Sequence, residues 1–309
     1  MALSGLVLGG GLALDLLVGE PPRRLHPVAW FGQVVGRVDG EWRRPRQVGV
    51  VAALVLPILA ALAVAGVVFA AGQMDTRVGA VAGALALFVT TSLRRLLERV
   101  REVTALSEED VDAARERLRA LAGRDAAALS PGELRSAAVE SLAENLADGL
   151  VAPLAGYTVL AAATTAAGGS PLLAVSLGCG GAAWVKAVNT LDSMLGYRSK
   201  PVGWGPARLD DAAMWVPARV TAGLLALVSR APLSLVRARR WNGDVPSPNS
   251  GWPMGTLAAI LDVRLTKPGA YTLNGDAQLP DAAAAGVAVR KVALSGLVAY
   301  ALAGVLTWT

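Results

Sequence analysis

The chain has 309 residues, of which 54% are hydrophobic, 17% charged and 5% aromatic, and its formal net charge is +5. A soluble domain averages about 25% charged residues. The composition therefore excludes disorder, collagen-like repeats and a disulfide scaffold, and it points to the lipid bilayer. The single cysteine, Cys179, lies in an apolar run, which excludes a cysteine metal cluster.

Apolar runs alternate with charged connections along the chain. The runs cover residues 1–19, 48–71, 78–91, 150–167, 171–188 and 287–308. A helix needs roughly 20 residues to cross about 30 Å of hydrocarbon. The third run is too short to cross by itself, so its span must include flanking residues. The fourth and fifth runs are predicted to form a helical hairpin. The first run lacks a basic start and a cleavage site, so we expect a retained span rather than a signal peptide. The predicted fold class is all-α: one polytopic integral membrane domain over residues 1–309 with about six transmembrane helices.

The positions of the basic residues predict the orientation. If all six runs span, every one of the 29 lysines and arginines except Arg77 lies on one face. The positive-inside rule makes that face cytoplasmic and places both termini outside, in a bacterial cytoplasmic (inner) membrane. The cytoplasmic connections are then about 20–47, 93–149 and 189–286. This distribution favours a bilayer and no nucleic-acid partner.

One further apolar run, 212–228, contains Pro217 and Arg219. If it spanned, the basic stretch after it would become external and the charge rule would break. We therefore predict a re-entrant or interfacial helix on the cytoplasmic side.

The connection 93–149 is predicted to contain two helices. Ser107–Asp110 starts an amphipathic helix that ends at Gly123, and the capping box Ser130–Glu133 starts a second helix that enters the membrane near Pro153.

Three carboxylates on this second helix are candidate metal ligands. Glu140, Glu144 and Asp148 fall at i, i+4 and i+8, in one stripe about 80° wide, with Asn145 alongside. No Lys or Arg at i±3 or i±4 relieves the repulsion at Glu144 or Asp148. A divalent cation, Mg²⁺ holding a phosphate, would resolve the conflict. The alternative is a solvated helix face.

A second polar group follows the fifth run, where one cation meets several hydroxyl and amide groups suited to phosphate oxygens. Its members are Lys186, Asn189, Thr190, Asp192 and Ser193. Asp192 is a further candidate metal ligand. Alternatively, Lys186 anchors the span by extending to the interface.

A third group forms one helical stripe with Asp210 beside it, and its members are Arg208, Asp211, Trp215 and Arg219. It is either an ion-pair network or a clamp for an anionic substrate. The loop containing Ser247 and Asn249 is rigid and polar, as many functional loops are.

The only histidine, His26, cannot build a zinc site alone. It is either a structural residue, or an acid–base or phosphate-binding group. Asp15 lies within the first run, where an ionisable side chain suggests function. The sequence lacks Walker A, Rossmann, G-x-S-x-G and H-E-x-x-H motifs, which argues against familiar nucleotide folds and serine hydrolases.

Taken together, these residues resemble a known family. The shared segments, in chain order, are Gly19–Pro21, His26–Val28, Gly123–Asp125, Glu140–Gly149, Ala152–Pro153, Lys186–Tyr197, Ala207–Asp211, Pro217–Arg219 and Ser247–Asn249. The chain is similar to the CobD/CbiB family of membrane-bound cobalamin biosynthesis proteins, the adenosylcobinamide-phosphate synthases. The resemblance covers nearly the whole chain. It departs from the family after Tyr271, where the stretch up to residue 281 is abbreviated.

The resemblance implies ATP-dependent ligation of adenosylcobyric acid with (R)-1-aminopropan-2-ol or its O-phosphate. Glu140, Glu144, Asp148 and Asp192 would hold Mg²⁺, while Lys186 and Arg208 would neutralise phosphates. Asp210 or Asp211 would accept the amine proton or bind a second metal. The remaining candidates would contact substrate or phosphate: His26, Asn145, Asn189, Thr190, Ser193, Arg219, Ser247 and Asn249. Other late cobalamin-pathway enzymes are expected partners.

Two other classes stay open at this point. A Mg²⁺-dependent transferase acting on a lipid diphosphate also uses carboxylates at a membrane face, but it needs no ATP hydrolysis. A transporter or non-catalytic scaffold of late corrin enzymes would tolerate loss of Asp148 and Lys186 together, whereas an enzyme would not.

Overall fold

The computed structural model describes residues 2–122, 126–197 and 199–308. These residues are almost entirely helical, which confirms the all-α class, and they include one two-stranded hairpin. The helices are α1 Ala2–Val18, α2 Pro27–Gly36, α3 Pro45–Met74, α4 Thr76–Thr90, α5 Arg94–Glu109, α6 Val111–Ala122, α7 Pro131–Leu146, α8 Ala152–Ala166, α9 Pro171–Leu195, α10 Trp204–Ala213, α11 Trp215–Ser229, α12 Leu233–Trp241, α13 Gly251–Leu261 and α14 Ala282–Leu306, and the strands are β1 Leu265–Lys267 and β2 Tyr271–Leu273.

Within the described part of the chain, five helical stretches are long and apolar enough to cross a membrane, which confirms a multi-pass membrane protein. They are Pro45–Met74, Thr76–Glu109, Pro131–Ala166, Pro171–Leu195 and Ala282–Leu306. A sixth exists if the residues of α10 and α11 form one broken span. The first predicted span is the helix α1, whose 17 residues extend only about 25 Å. Its crossing, and the re-entrant assignment of residues 212–228, stay predictions.

The connection 93–149 differs from the prediction in its first helix. Ser107 lies in the last turn of α5, so the expected helix start at Ser107–Asp110 was wrong. Asp110 instead follows α5, and its carboxylate accepts a hydrogen bond from the Ala113 N–H at the start of α6. The basic α5 lacks a sequence signal for its start: Leu93 at the N-cap makes no side-chain hydrogen bond. The expected end at Gly123 lies outside the described residues.

The second helix of this connection begins where the sequence placed it. The Ser130 hydroxyl accepts from the Glu133 N–H, and the Glu133 carboxylate accepts from the Ser130 N–H at 2.8 Å. This capping box satisfies backbone donors at both positions.

By internal contacts the chain divides into two compact units. Unit 1 contains residues 1–92, 148–214 and 299–309, and unit 2 contains residues 93–147 and 215–298. The expectation of a single domain stays a prediction.

Close packing of helices through small residues builds unit 1. The helices α8 and α9 form a hairpin in which a Cβ on Gly156 would lie 2.6 Å from the Gly181 carbonyl oxygen. Only a glycine permits this approach of two backbones. The helix α9 also packs against α3 and α4. Asp15 on α1 is 2% exposed and its charge acts on Tyr300, so the ionisable residue of the first run is a buried group.

Unit 2 holds the hairpin against α7. The strands β1 and β2 are antiparallel, with Leu265 opposite Leu273. The Thr266 N–H donates to the Ser136 hydroxyl at 2.8 Å, so α7 supplies a partner for a strand backbone group. The helix α13 packs against α11, α12 and α7. The Ser247–Asn249 loop directly precedes α13 in the chain.

Candidate functional site

Asp148 lies in a π-helical segment rather than in a regular α-helix. The α-helix ends at Leu146, and the π segment covers Ala147–Val151. The predicted stripe assumed α-helical spacing as far as Asp148, and that assumption was wrong. Single-turn π segments occur frequently at functional sites because they redirect a side chain from the helical register.

Ser92 connects this π segment to the end of α1. Its backbone N–H donates to the Gly149 carbonyl at 3.0 Å, and its hydroxyl donates to the Glu20 carboxylate at 2.9 Å. The residue before Glu20, Gly19, has a φ of +80° and ends α1. Such a left-handed conformation after a helix favours glycine, and here it turns the chain so that Glu20 meets Ser92.

Lys186 on α9 joins the same group of charges. Its ammonium is partly buried and interacts electrostatically with Asp148 and Glu20. One turn further along α9, the Asn189 amide donates to the Asp148 carboxylate at 3.4 Å. The structure therefore brings Asp148 of the predicted carboxylate stripe together with Lys186 and Asn189 of the second predicted group.

Glu20 is the functional candidate that sequence reasoning missed. It stands in the Gly19–Pro21 segment on which the family resemblance partly rests, but no spacing rule relates it to residues 148 or 186. The available signal was an acidic residue between a glycine and a proline, directly after an apolar run.

His26 borders this group and also has a structural role. Its Nδ1 accepts from the Val28 N–H at 3.3 Å and caps α2, which places the proton of the neutral ring on Nε2. Burial lowers the pKa of His26, the charge of Glu20 raises it, and Lys186 lowers it further. The structural alternative for His26 is thus supported, and a substrate contact through Nε2 stays a prediction.

A second acidic pair joins α9 to α10. The carboxylates of Asp192 and Asp211 are close enough to repel each other, and Arg208 lies 3.6 Å from the Asp211 carboxylate. A Cβ on Gly196 would lie 2.7 Å from the Asp192 backbone carbonyl oxygen, so glycine is required there. Asp210 precedes Asp211 and is partly buried.

The hydroxyls of Thr190 and Ser193, which were predicted to bind phosphate, donate hydrogen bonds to backbone carbonyls of their own helix. The Thr190 hydroxyl donates to the Lys186 carbonyl at 2.7 Å and the Ser193 hydroxyl to the Asn189 carbonyl at 2.8 Å. Such i−4 bonds use the hydroxyl hydrogen locally, so only the oxygen lone pairs remain for another partner.

Glu140 in unit 2 is a fully buried carboxylate that accepts two hydroxyl hydrogen bonds. Ser136 donates to Oε1 at 3.0 Å and Tyr271 to Oε2 at 2.7 Å. These contacts hold the hairpin against α7. Glu140 therefore has a structural role, whereas the sequence predicted only a metal-binding role for it. Glu144 and Asn145 are partly buried, and Asn145 donates to the Ser141 carbonyl.

Arg219, Ser247 and Asn249 also come together in unit 2. Arg219 donates to the Asn249 side-chain oxygen at 3.2 Å. Asn249 is buried, and its backbone N–H donates to the Ser247 hydroxyl at 3.2 Å. Arg208 and Arg219, which the sequence placed on one stripe, are divided between the two units.

The carboxylates of these groups are the candidate metal ligands. Across residues 2–122, 126–197 and 199–308, no group of three or more His, Cys, Asp or Glu side chains is arranged to hold a metal ion. Magnesium commonly takes one or two protein carboxylates, with water and substrate phosphates completing its shell. The Asp192–Asp211 pair fits that smaller donor set, whereas both oxygens of Glu140 already accept hydrogen bonds.

These features define a polytopic helical membrane protein with a polar group at one end of α9. The CobD/Cbib protein family model matches residues 8–297. The chain belongs to this family, and it has a role in cobalamin biosynthesis.

Curated relatives agree with the family match. A probable cobalamin biosynthesis protein CobD of Methanothrix thermoacetophila is 33% identical, with 96% of this chain and 94% of the relative covered. A probable CobD protein of Pyrococcus abyssi is 37% identical over 87% of this chain and 86% of the relative. The cobalamin biosynthesis protein CobD of Sinorhizobium fredii is 35% identical, with 86% and 82% covered. No solved structure matches the chain significantly.

Proposed function

We propose that this protein is an adenosylcobinamide-phosphate synthase, an acid–amine ligase that consumes ATP. It joins a propionate carboxyl of adenosylcobyric acid to the amine of (R)-1-aminopropan-2-ol or its O-phosphate. The observation that carries the proposal is the convergence of Lys186, Asp148 and Glu20 in unit 1 of a CobD/Cbib family member.

The chemistry requires activation of a carboxylate that is otherwise a poor acyl donor. Transfer of the γ-phosphoryl group of ATP to the carboxylate oxygen gives an acyl phosphate and ADP. The amine then attacks the acyl carbon, inorganic phosphate leaves with one carboxylate oxygen, and the amine loses one proton. Stabilisation of the developing phosphate charge is the main task of such a site.

The cations of unit 1 suit that task. Lys186 would neutralise the transferred phosphoryl group, held in place by the charges of Asp148 and Glu20. Arg208 has a side chain that is 68% exposed, so its guanidinium is accessible to nucleotide phosphates. Mg²⁺, when bound by Asp192 and Asp211, would screen charge on the phosphates.

The proton lost by the amine requires an acceptor near the acyl carbon. Asp148 is the best placed candidate because the Asn189 amide orients it beside Lys186. In its ionised form this carboxylate can accept a proton from the attacking amine.

The active face is proposed to be cytoplasmic, where ATP is available, in the bacterial inner membrane. Nearly all basic residues fall in connections on that side if the spans are as predicted. Docking of other late cobalamin-pathway enzymes on the same face is part of the proposal.

A turnover assay on the detergent-purified chain tests the function. The mixture contains adenosylcobyric acid, Mg-ATP, and aminopropanol with or without its phosphate, and products are followed by mass spectrometry. We expect an amide product with an equal amount of ADP, and no product without the amine. An Asp192→Asn variant serves as the magnesium-site control, with product formation lowered and a higher Mg²⁺ requirement. Intact ATP and no amide with either amine would contradict the proposal.

A further inference from the structure

Arg219 in unit 2 lies close to two tryptophan rings. Its guanidinium carbon lies 4.2 Å from the centroid of the Trp215 ring and 5.3 Å from that of Trp252. The hydrogens of Nη1 go to the Trp215 carbonyl at 2.7 Å and to the Asn249 side-chain oxygen at 3.2 Å. Stacking and two hydrogen bonds therefore fix the guanidinium plane before any ligand arrives.

The opposite edge of this guanidinium has no protein acceptor in the described part of the chain. Within the described residues, both hydrogen bonds that Arg219 donates come from Nη1, so the edge formed by Nε and Nη2 is left for a ligand. That edge presents two parallel N–H donors, the geometry that matches two oxygens of a phosphate. Arg237, which also lies over a tryptophan, differs because Asp262 neutralises it at 2.8 Å.

A further donor lies beside Arg219. The indole N–H of Trp252 is enclosed, and within the described residues it has no hydrogen-bond acceptor. A buried donor without an acceptor is costly, and a ligand that carries several oxygens would relieve that cost.

The helix that bears Arg219 has an exposed apolar face next to it. Val216, Val220 and Leu227 are 55%, 43% and 66% exposed, and at 100° per residue they fall within about 40° of one another. Arg219 flanks this stripe, and Trp215, itself 54% exposed, lies one step beyond. An apolar stripe bordered by tryptophan and arginine is the pattern of a helix that meets acyl chains and headgroups at once.

We propose that Arg219, Trp215, Trp252 and Asn249 form a binding site for the phosphodiester of an anionic membrane phospholipid. The Nε–Nη2 edge of Arg219 binds two phosphate oxygens, and the lipid acyl chains cover the face of Val216, Val220 and Leu227. The sequence placed Arg219 at a substrate phosphate. The exposed apolar face favours the lipid, because a small soluble phosphate would leave that face uncovered. The proposal is independent of the proposed ligase reaction, whose residues are in unit 1.

Native mass spectrometry of the full-length chain tests the site. The purified protein is offered equal amounts of phosphatidylglycerol and phosphatidylcholine in mixed micelles, and retained lipids are counted. We expect wild type to retain phosphatidylglycerol preferentially, Arg219→Met to lower that retention at least fivefold, and Arg240→Met to change it less than twofold. Arg240 is the matched control because it is an exposed arginine of the same unit.

Two further variants keep the test decisive if Arg219→Met does not fold. Arg219→Lys preserves the charge but not the two parallel donors, and Trp252→Phe preserves the ring but not the N–H. We expect each to lower phosphatidylglycerol retention at least twofold. Unchanged retention in both, or equal losses in Arg219→Met and Arg240→Met, would overturn the site.

A soluble phosphate is distinguished by titration in lipid-free detergent. Inorganic phosphate is added while tryptophan fluorescence is recorded for wild type and Arg219→Lys. We expect no saturable change at millimolar phosphate in either protein. A saturable change that requires Arg219 and that phosphatidylglycerol does not compete away would overturn the lipid assignment in favour of a free phosphate.

Discussion

The Lys186 side chain on α9 interacts electrostatically with Asp148 and Glu20. Removal of a cation that stabilises a developing phosphate typically costs about 10²–10³ in kcat. We therefore expect Lys186→Met to lower kcat for amide formation at least 100-fold. Lys200→Met is the matched control, since Lys200 is a half-exposed lysine of the same unit that pairs with Asp39, and we expect its kcat within twofold of wild type. A folded Lys186→Met protein with wild-type kcat would exclude the assigned role.

His26 provides a prediction on pH. Burial lowers its pKa in the folded protein, so the unfolded chain binds more protons below about pH 6.5. The stability from neutral His26 is present above that value and is lost as the pH falls through the folded pKa. Protonation also removes the Nδ1 acceptor that caps α2.

His26→Asn separates these effects, because asparagine caps a helix without titrating. Thermal unfolding midpoints are measured from about pH 5 to pH 8. We expect the wild-type midpoint to fall more steeply than that of the variant on the acidic side. Parallel curves would show that His26 does not titrate differently in the two states.

At the residue level, spacing along the chain predicted only those neighbours in unit 1 that share the helix α9. Lys186, Asn189 and Asp192 share one helix, so their proximity follows from helical geometry alone. Glu20 could not be predicted, because its contact with Ser92 joins positions 72 residues apart and depends on tertiary packing. The π segment at Asp148 has no sequence signature, so the predicted stripe failed there.

At the element level, the hairpin β1–β2 is fastened to α7 by a buried carboxylate. Tyr271 donates to Glu140 at 2.7 Å. Loss of a hydrogen bond that leaves a buried polar group unsatisfied costs about 1–3 kcal/mol. We expect Tyr271→Phe to lower the free energy of unfolding by about that amount. Tyr197→Phe is the control: Tyr197 is 58% exposed, and surface changes usually stay within about 0.5 kcal/mol.

The Glu140 contact also discriminates between a structural and a metal role. If Glu140 fastens the hairpin, Glu140→Gln destabilises the protein, and its effect on stability is not additive with that of Tyr271→Phe. If Glu140 binds Mg²⁺, Glu140→Gln instead raises the Mg²⁺ concentration that half-saturates turnover while stability stays near wild type. Unfolding and Mg²⁺ titration of the three variants, including the double variant, decide between them.

Helices with strong end signals were the most predictable elements. The capping box at Ser130 predicted the start of α7, and the fifth predicted run begins at residue 171, where α9 starts. The start of α5 and the short hairpin at residues 265–273 were not predicted, because α5 lacks a capping side chain and each strand has only three residues.

At the scale of the whole molecule, the predicted orientation can be tested by cysteine labelling. The native Cys179 is fully buried, so background labelling will be low. Intact cells carrying Thr76→Cys or Glu108→Cys are treated with a membrane-impermeant maleimide; both positions are exposed. We expect labelling at residue 76 and, until the cells are permeabilised, none at residue 108. Labelling at residue 108 but not at residue 76 in intact cells would show that the protein has the opposite orientation in the membrane.

The central claim is that this membrane protein activates a carboxylate with ATP to make an amide. The most direct test follows oxygen atoms: adenosylcobyric acid labelled with ¹⁸O in the reacting carboxylate is turned over with Mg-ATP and the amine. An acyl phosphate passes one carboxylate oxygen to phosphate, so the account predicts one ¹⁸O in the released inorganic phosphate for each amide formed. Amide formation with unlabelled phosphate, or with the label in AMP, would contradict it.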